Sequence, residues 1–342
     1  MRFGIIGDIH WCKYSSIIRM RGDEYSYRLE NCIQSITWAE ELTSDCDSVI
    51  YLGDFFDHPE LSAEEITAIK EIKWNIKPHY FLVGNHEMGT NDLTYSSCHL
   101  FEYIDTYTGA KVVDKPLTVH FGDVSLHFIP YILEEQRKPF AEYLSKAPGR
   151  KNIVLSHNDI SGMNLGRFIS INGFNVEEIQ QECDLFLNGH LHNGTKVADK
   201  VINVGNLTGQ NFSEDAYLYD HCILILNTDT MQCEVYENPY AMNFYKVDAT
   251  LFDFDVSSLK PRSAVTLKTT VDKQEYYKNL LSEADNIIAS RIILVPTEQE
   301  MYQEQNTAEV FSVNHLNKFN EYILETLGNT KIVREELQEV LK

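Results

Sequence analysis

The chain is short of positive charge. It carries 29 Lys and Arg against 51 Asp and Glu, a formal net charge of −22. Nucleic-acid affinity normally comes from cations that neutralise phosphates, so a chain this acidic is not expected to bind DNA strongly by itself. Bound divalent cations would offset part of the charge locally, and a basic partner would supply more; the same acidity also keeps a protein soluble. Long apolar runs are missing as well. Nothing approaches the roughly 18 consecutive apolar residues of a membrane span, although the 342 residues are 43% hydrophobic and so read as globular. There is no CxxC pair. Cys12, Cys32, Cys46, Cys98, Cys183, Cys222 and Cys233 are odd in number and scattered, which reads as reduced thiols of a cytoplasmic protein rather than a disulfide framework or a zinc knuckle. The opening MRFGIIGDIH meets Asp8 too early for a signal peptide, so no targeting segment is expected. Internal repeats and low-complexity stretches are absent from the pattern too.

What the chain has instead is five short apolar runs, each ending in a small residue followed by a polar side chain of metal-ligand type. They read FGIIG-Asp8, VIYLG-Asp54, YFLVG-Asn85, IVLS-His157 and LFLNG-His190. His10 and His192 follow Asp8 and His190 by two residues. The runs do not alternate, which suits strands buried on both faces. Residues just past the carboxyl ends of such strands line the crevice where ligands bind.

Between the runs, helices are predicted over 24–43, 62–75 (opened by a Ser62/Glu65 capping box), 92–106, 132–146 and 176–183. Residues 111–130 read as a hairpin turning at Phe121-Gly122-Asp123. From 196 to 237 short strands follow one another directly, so the expectation is an α/β sandwich with mixed sheets. Residues 263–271, 272–289 and 291–295 then read as strand, helix and strand, a small βαβ unit of its own. A polar, acidic linker covers 298–310, and apolar residues at helical spacing from Val313 to Leu341, broken at Gly328-Asn329, predict two helices. That tail is expected either to pack on its own domain or to lay an apolar face on a partner.

Asp, His and Asn without cysteine favour hard or borderline ions. Asp8, His10 and His192 complete one site, and Asn85, His157 and His190 a second, with the two oxygens of Asp54 bridging them. Two ions ~3.5–4 Å apart clamp a phosphate and bring the pKa of a bridging water toward ~7, ready for in-line attack. His86, beside Asn85, is left to protonate the leaving oxygen or to stabilise transition-state charge. Asp57, three residues after Asp54, is placed to accept a hydrogen bond from His86 and fix its tautomer. The remaining histidines (His58, His79, His99, His120, His127, His221 and His315) read as ordinary.

These residues spell DxH (Asp8, His10), GDxxD (Asp54, Asp57), GNHE (Asn85, His86), a lone His157 and GHxH (His190, His192), and over residues 1–240 the chain resembles the calcineurin-like metallophosphoesterase superfamily. Within it, the chain is similar to the nuclease subunit of SbcCD-type double-strand-break repair complexes, most of all to the shorter recombination nuclease of tailed phages. The resemblance implies a four-layer metallophosphoesterase sandwich over 1–245, a DNA-capping βαβ domain over 246–297, the linker over 298–310, and an ATPase-docking helical tail over 311–342. It implies two divalent metal ions, Mn2+ foremost, and a DNA nuclease acting as an exonuclease on duplex ends and an endonuclease on single strands. An SbcC-like coiled-coil ATPase partner and a homodimer are implied with it. Asp57 stands where some members carry a histidine. Candidate DNA contacts are Lys13, Arg19, Arg21 and Arg28 near the first loop, and Asn91 and Tyr95 after GNHE. The rival expectation within the superfamily is a small-molecule phosphoesterase acting on a cyclic nucleotide or a dinucleoside polyphosphate.

Overall fold

The computed structural model describes residues 1–296 except 16, 105–108, 164–168 and 251; the linker at 298–310 and the tail at 311–342 lie outside the described residues. Two six-stranded mixed sheets dominate. The first runs, in spatial order, Gln232–Glu237, Cys222–Asn227, Arg2–Ile6, Ser48–Tyr51, His79–Leu82 and Ala110–Val113. The last four are parallel and the first two pair antiparallel. The second runs Thr195–Ala198, Val201–Asn203, Leu185–Asn188, Lys151–Ser156, Val124–Ile129 and Leu117–Phe121, with its four inner strands parallel.

The unbroken apolar runs follow from this arrangement, because successive side chains on a strand point to opposite faces. Phe3, Ile5, Ile50, Leu52, Tyr80 and Leu82 meet Leu126, Phe128, Ile153, Leu155, Leu185 and Leu187 in a core shared by the two sheets. Their neighbours Ile6, Val49, Tyr51, Phe81 and Val83 point the other way, onto Leu29, Cys32, Ile36 and Ala39 of the helix Tyr27–Leu42. Val154 and Phe186 pack outward with Ile179 of the helix Val176–Glu182. A strand with both faces covered has no polar face, so it does not alternate.

The predicted capping box forms, and the first helix starts at Tyr27 rather than 24 behind a cap that the sequence reading did not name. Ser26 caps Tyr27–Leu42 by accepting from the Leu29 N–H at 3.3 Å, and Ser62 with Glu65 forms the capping box. That second helix ends at Ala68 and passes into a 3-10 turn at Ile69–Glu71, short of the predicted residue 75. Two predicted helices are replaced. Residues 92–106 begin as a strand, Asp92–Ser96, paired with Met88–Gly89, and among the described residues of this stretch Leu100–Ile104 is the α-helical part. Thr90 and Asn91 take positive φ in the turn, and Asp92 Oδ1 accepts from the Thr94 amide (2.9 Å) and hydroxyl (2.7 Å), side-chain bonds that compete with a helix. Residues 132–146 hold only the 3-10 turns Glu134–Gln136 and Phe140–Tyr143, separated by Pro139, which lacks the amide a helix needs.

A third sheet is wholly parallel: Asn243–Asp248, Ser263–Thr270 and Ile287–Val295. Its first strand extends the βαβ unit read from sequence. The helix there spans Gln274–Glu283 and buries Tyr277 and Leu281; it stops short of 289 because Ile287–Val295 pairs into the sheet, and Asn286 Nδ2 donates to the carbonyls of Val256 (2.9 Å) and Leu259 (3.0 Å). Met242, Phe244 and Ala264 of this sheet pack on Ile18 and Tyr27 beside the first loop.

Candidate metal centre

All seven candidate ligands leave the carboxyl ends of parallel strands. Asp8 and His10 follow Arg2–Ile6, Asp54 follows Ser48–Tyr51, Asn85 follows His79–Leu82, His157 follows Lys151–Ser156, and His190 and His192 follow Leu185–Asn188. Both sheets therefore contribute. The turns that aim these side chains are strained: His10, Asp54 and His190 take φ of 50°, 48° and 75°, a region non-glycine residues avoid unless the surroundings enforce it. The glycine positions answer to close approach. Gly53 has φ 105°, and a Cβ there would overlap the His157 ring; a Cβ on Gly84 would overlap the Asp54 carboxylate.

Three donor sets converge: Asp8, His10 and His192; His10, Asp54 and His86; Asp54, His157 and His190, with the atoms of each set lying within 4.8 Å of one another. Each aspartate spends one oxygen on a backbone amide. Asp8 Oδ1 accepts from the His190 N–H at 3.0 Å, and Asp54 Oδ1 from the His86 N–H at 2.9 Å. Asp8 Oδ2 is buried and has no hydrogen-bond partner.

The imidazoles are oriented in the same sense. His10 donates Nδ1–H to Asp57 Oδ1 (3.0 Å), and His192 donates Nδ1–H to Glu214 Oε1 (3.1 Å). Their Nε2 atoms then face each other at 3.0 Å with a lone pair on each. His157 donates Nδ1–H to the Leu52 carbonyl (2.7 Å) and turns Nε2 toward Asp54 Oδ2 (3.1 Å) and Asn85 Oδ1 (3.2 Å). His190 Nε2 lies 3.3 Å from Asp159 Oδ1, and its Nδ1 is buried without a partner. Acceptors that converge with no donor between them repel one another unless a cation sits among them, so the residues present fit divalent metal.

The electrostatics agree. Burial opposes charge on Asp54, but His157, His10 and His86 together hold its carboxyl below the usual range. Burial lowers the pKa of His10, which suits a neutral ligand. Burial works against a charged His157 as well, yet Asp54 and Asp8 raise it to about 9, a negative field that a cation would answer. For His86 the leading influence is its 3.3 Å contact with Asp57, which raises it to about 9, and the ring is 41% exposed at the mouth of the site.

Asp57 thus meets three histidines rather than His86 alone: His10 at 3.0 Å, His58 at 3.2 Å and His86 at 3.3 Å. Sequence reasoning missed the side chains behind the donors. Glu214 is fully buried and orients His192; Gln210 Nε2 donates to Asp57 Oδ1 at 2.7 Å; Asp159 faces His190. None sits in a motif, and the only local signal is a polar stretch (Asn206, Gln210, Asn211, Glu214) after the strand Val201–Asn203.

The candidate DNA contacts divide. Arg19, Asn91 and Tyr95 are exposed. Lys13 pairs with Glu64 at 2.6 Å, and Arg21 pairs with the same carboxylate. Arg28 is fully buried and bonds backbone carbonyls, so it presents no surface cation.

A mixed two-sheet α/β fold that delivers His, Asp and Asn donors to one rim is that of a metal-dependent phosphoesterase. The chain belongs to the calcineurin-like phosphoesterase family, whose model matches residues 1–194, more than half of its length. The family uses divalent metals. The chain is 24% identical over 196 residues to a protein named "Putative phosphoesterase 244L" of Invertebrate iridescent virus 6, covering 55% of this chain and 66% of that one. It is 21% identical over 155 residues to "Exonuclease subunit 1" of Enterobacteria phage T4, covering 44% of each. The chain thus spans under two thirds of either relative. Among the described residues no helix is long and apolar enough to cross a membrane.

Proposed function

We propose that this chain is a metal-dependent DNA nuclease subunit that hydrolyses phosphodiesters. The observation that carries the reading is the chain of three donor sets, the first two sharing His10 and the last two sharing Asp54, with unpaired acceptors facing one another. In this reading Asp8, His10 and His192 hold one divalent ion, Mn2+ foremost, and Asn85, His157 and His190 the other, with Asp54 shared. Bound ions would supply Lewis acidity to the phosphoryl oxygens and a more acidic water. The chain's own residues do the rest. His86, held by Asp57 and exposed, keeps a proton for the leaving oxygen. Asp57 acts through His10 and His86 as a positioning residue.

Similarity to a phage exonuclease subunit supports DNA as substrate. The core shared between the sheets, with helices on the outer faces, supports the family's four-layer sandwich. The third sheet, packed beside the first loop, suits a cap over bound DNA. We assign residues 311–342 to docking an SbcC-like coiled-coil ATPase, within a homodimer. Deleting 310–342 should abolish co-purification with the ATPase and spare metal loading; a truncated chain that still co-purifies refutes the docking assignment.

A second reading is favoured by the net charge of −22 and by the pairing of Lys13 and Arg21 to Glu64: a phosphoesterase acting on a small nucleotide. The two readings separate when the purified chain and Mn2+ are given linear duplex DNA, single-stranded DNA and bis-p-nitrophenyl phosphate. Degradation of DNA that Asp54→Ala abolishes supports the nuclease. Cleavage of the small diester alone, with the ATPase partner present, selects the second reading.

A further inference from the structure

Arg28 lies in the first turn of the helix Tyr27–Leu42, and its side chain is fully buried. A buried guanidinium ordinarily meets a carboxylate. Here Nη1 donates to the Gly209 carbonyl (2.7 Å) and Nη2 to the carbonyls of Ile9 (2.8 Å) and His10 (3.3 Å), while Nε is buried without a partner. Ile9 and His10 belong to the loop that carries Asp8 and His10. Gly209 belongs to a segment some 200 residues away in sequence that stands behind the same donors.

That segment is bound to one donor set. The Leu207 amide donates to the Asp8 carbonyl (2.8 Å) and the Asn206 amide to the His192 carbonyl (3.1 Å). Gln210 Nε2 reaches Asp57 Oδ1, the acceptor for His10, and Glu214 accepts from His192 Nδ1. Arg28 bonds no residue of the Asp54, His157 and His190 set.

We propose that Arg28 is a positioning residue for one of the two metal positions: its guanidinium fork clamps the His10 loop to the Gly209 segment, so that Asp8, His10 and His192 converge. The clamp needs two nitrogens in a fixed plane, one for each loop. Lysine offers a single nitrogen on a flexible stem and cannot hold both. His10, at φ 50°, is the residue that the clamp keeps in an unfavoured conformation. The proposal rests on the metal-centre reading above.

The test is Mn2+ binding to the full chain and to Arg28→Lys and Arg28→Met, followed by calorimetry and by the exchange-coupled two-manganese EPR signal. Melting without metal serves as the fold control. The wild type should bind two ions. Both variants should keep one ion at wild-type affinity and bind the other 10–100-fold more weakly, losing the coupled signal at metal concentrations that saturate the wild type. Arg28→Lys keeps the charge and length, and carries the test by the same criteria if Arg28→Met does not fold. Two wild-type isotherms in a folded variant, or equal weakening at both positions, would overturn the proposal. A wild type that binds no Mn2+ would instead overturn the metal-centre reading beneath it.

Discussion

A histidine can ligate a metal only through a nitrogen that carries no proton, and in this chain the choice of nitrogen is made by the acceptor behind each ring. Asp57 takes the Nδ1 proton of His10, Glu214 that of His192, and the Leu52 carbonyl that of His157, so three Nε2 lone pairs point inward. The candidate donors were legible because five of them end apolar runs and His10 and His192 follow two residues on; the acceptors were not, because Glu214 and Gln210 reach the site only when the chain folds back on itself. His86→Ala should lower kcat by ~10²–10⁴-fold on the small diester, as loss of a proton donor does, with Mn2+ affinity measured by calorimetry unchanged; a matching loss of metal would move His86 among the ligands. At Gly84 the argument is steric. A methyl group there overlaps the Asp54 carboxylate and amide, so Gly84→Ala is expected to displace the shared ligand and remove metal binding. A Gly84→Ala protein that takes up two ions normally would contradict the placement of Asp54 between the two positions.

At the scale of the element, strands were read more faithfully than helices. Strand runs such as YFLV and LFLN are dense in large side chains covered on both faces, a pattern that short solvent-facing helices do not share. The stretch 132–146 carries charged residues along its whole length but buries only Phe140 within its 3-10 turns, so packing gives a helix little to hold it there. His127, read as an ordinary strand histidine, provides a test of sheet energetics away from the metal. On Val124–Ile129 its Nδ1 accepts from the Thr118 hydroxyl (2.9 Å) and its Nε2–H donates to Asn152 Oδ1 (3.0 Å), so the neutral ring is satisfied. Burial lowers its pKa below 6.5, against the Asn152 bond that raises it, and His120 and Lys146 add to the lowering. A depressed folded pKa means that the unfolded chain binds the proton first. The stability His127 contributes is fully present above pH 6.5 and is lost as pH falls below that value toward the depressed folded pKa. The melting temperature should therefore drop more steeply between about pH 7 and pH 5 in the wild type than in His127→Gln; parallel profiles would show that the ring is already solvated.

For the whole molecule, the candidate metal centre draws its donors from the strand ends of both sheets, and occupancy by ions should be felt as stability. At a free ion concentration about 100 times Kd, binding to the folded state alone stabilises by ~2.7 kcal/mol. A chelator should lower the melting temperature of the wild type by several degrees and leave that of Asp54→Ala unmoved; equal shifts in both would place the bound ion elsewhere. The acidic total of −22 works in the same direction, since cations at the rim relieve some of the chain's self-repulsion. By itself the sequence determined the candidate donors, the strands that carry them and the family they belong to, because buried strands and short Gly-bounded loops are local patterns. The tertiary structure alone decided which nitrogen each histidine turns inward and that Arg28 is buried beneath the site instead of facing substrate. It also decided that the strand Asn243–Asp248 opens the third sheet. Those outcomes depend on contacts between residues from 18 to 182 positions apart, and the residues that meet share no local pattern along the chain.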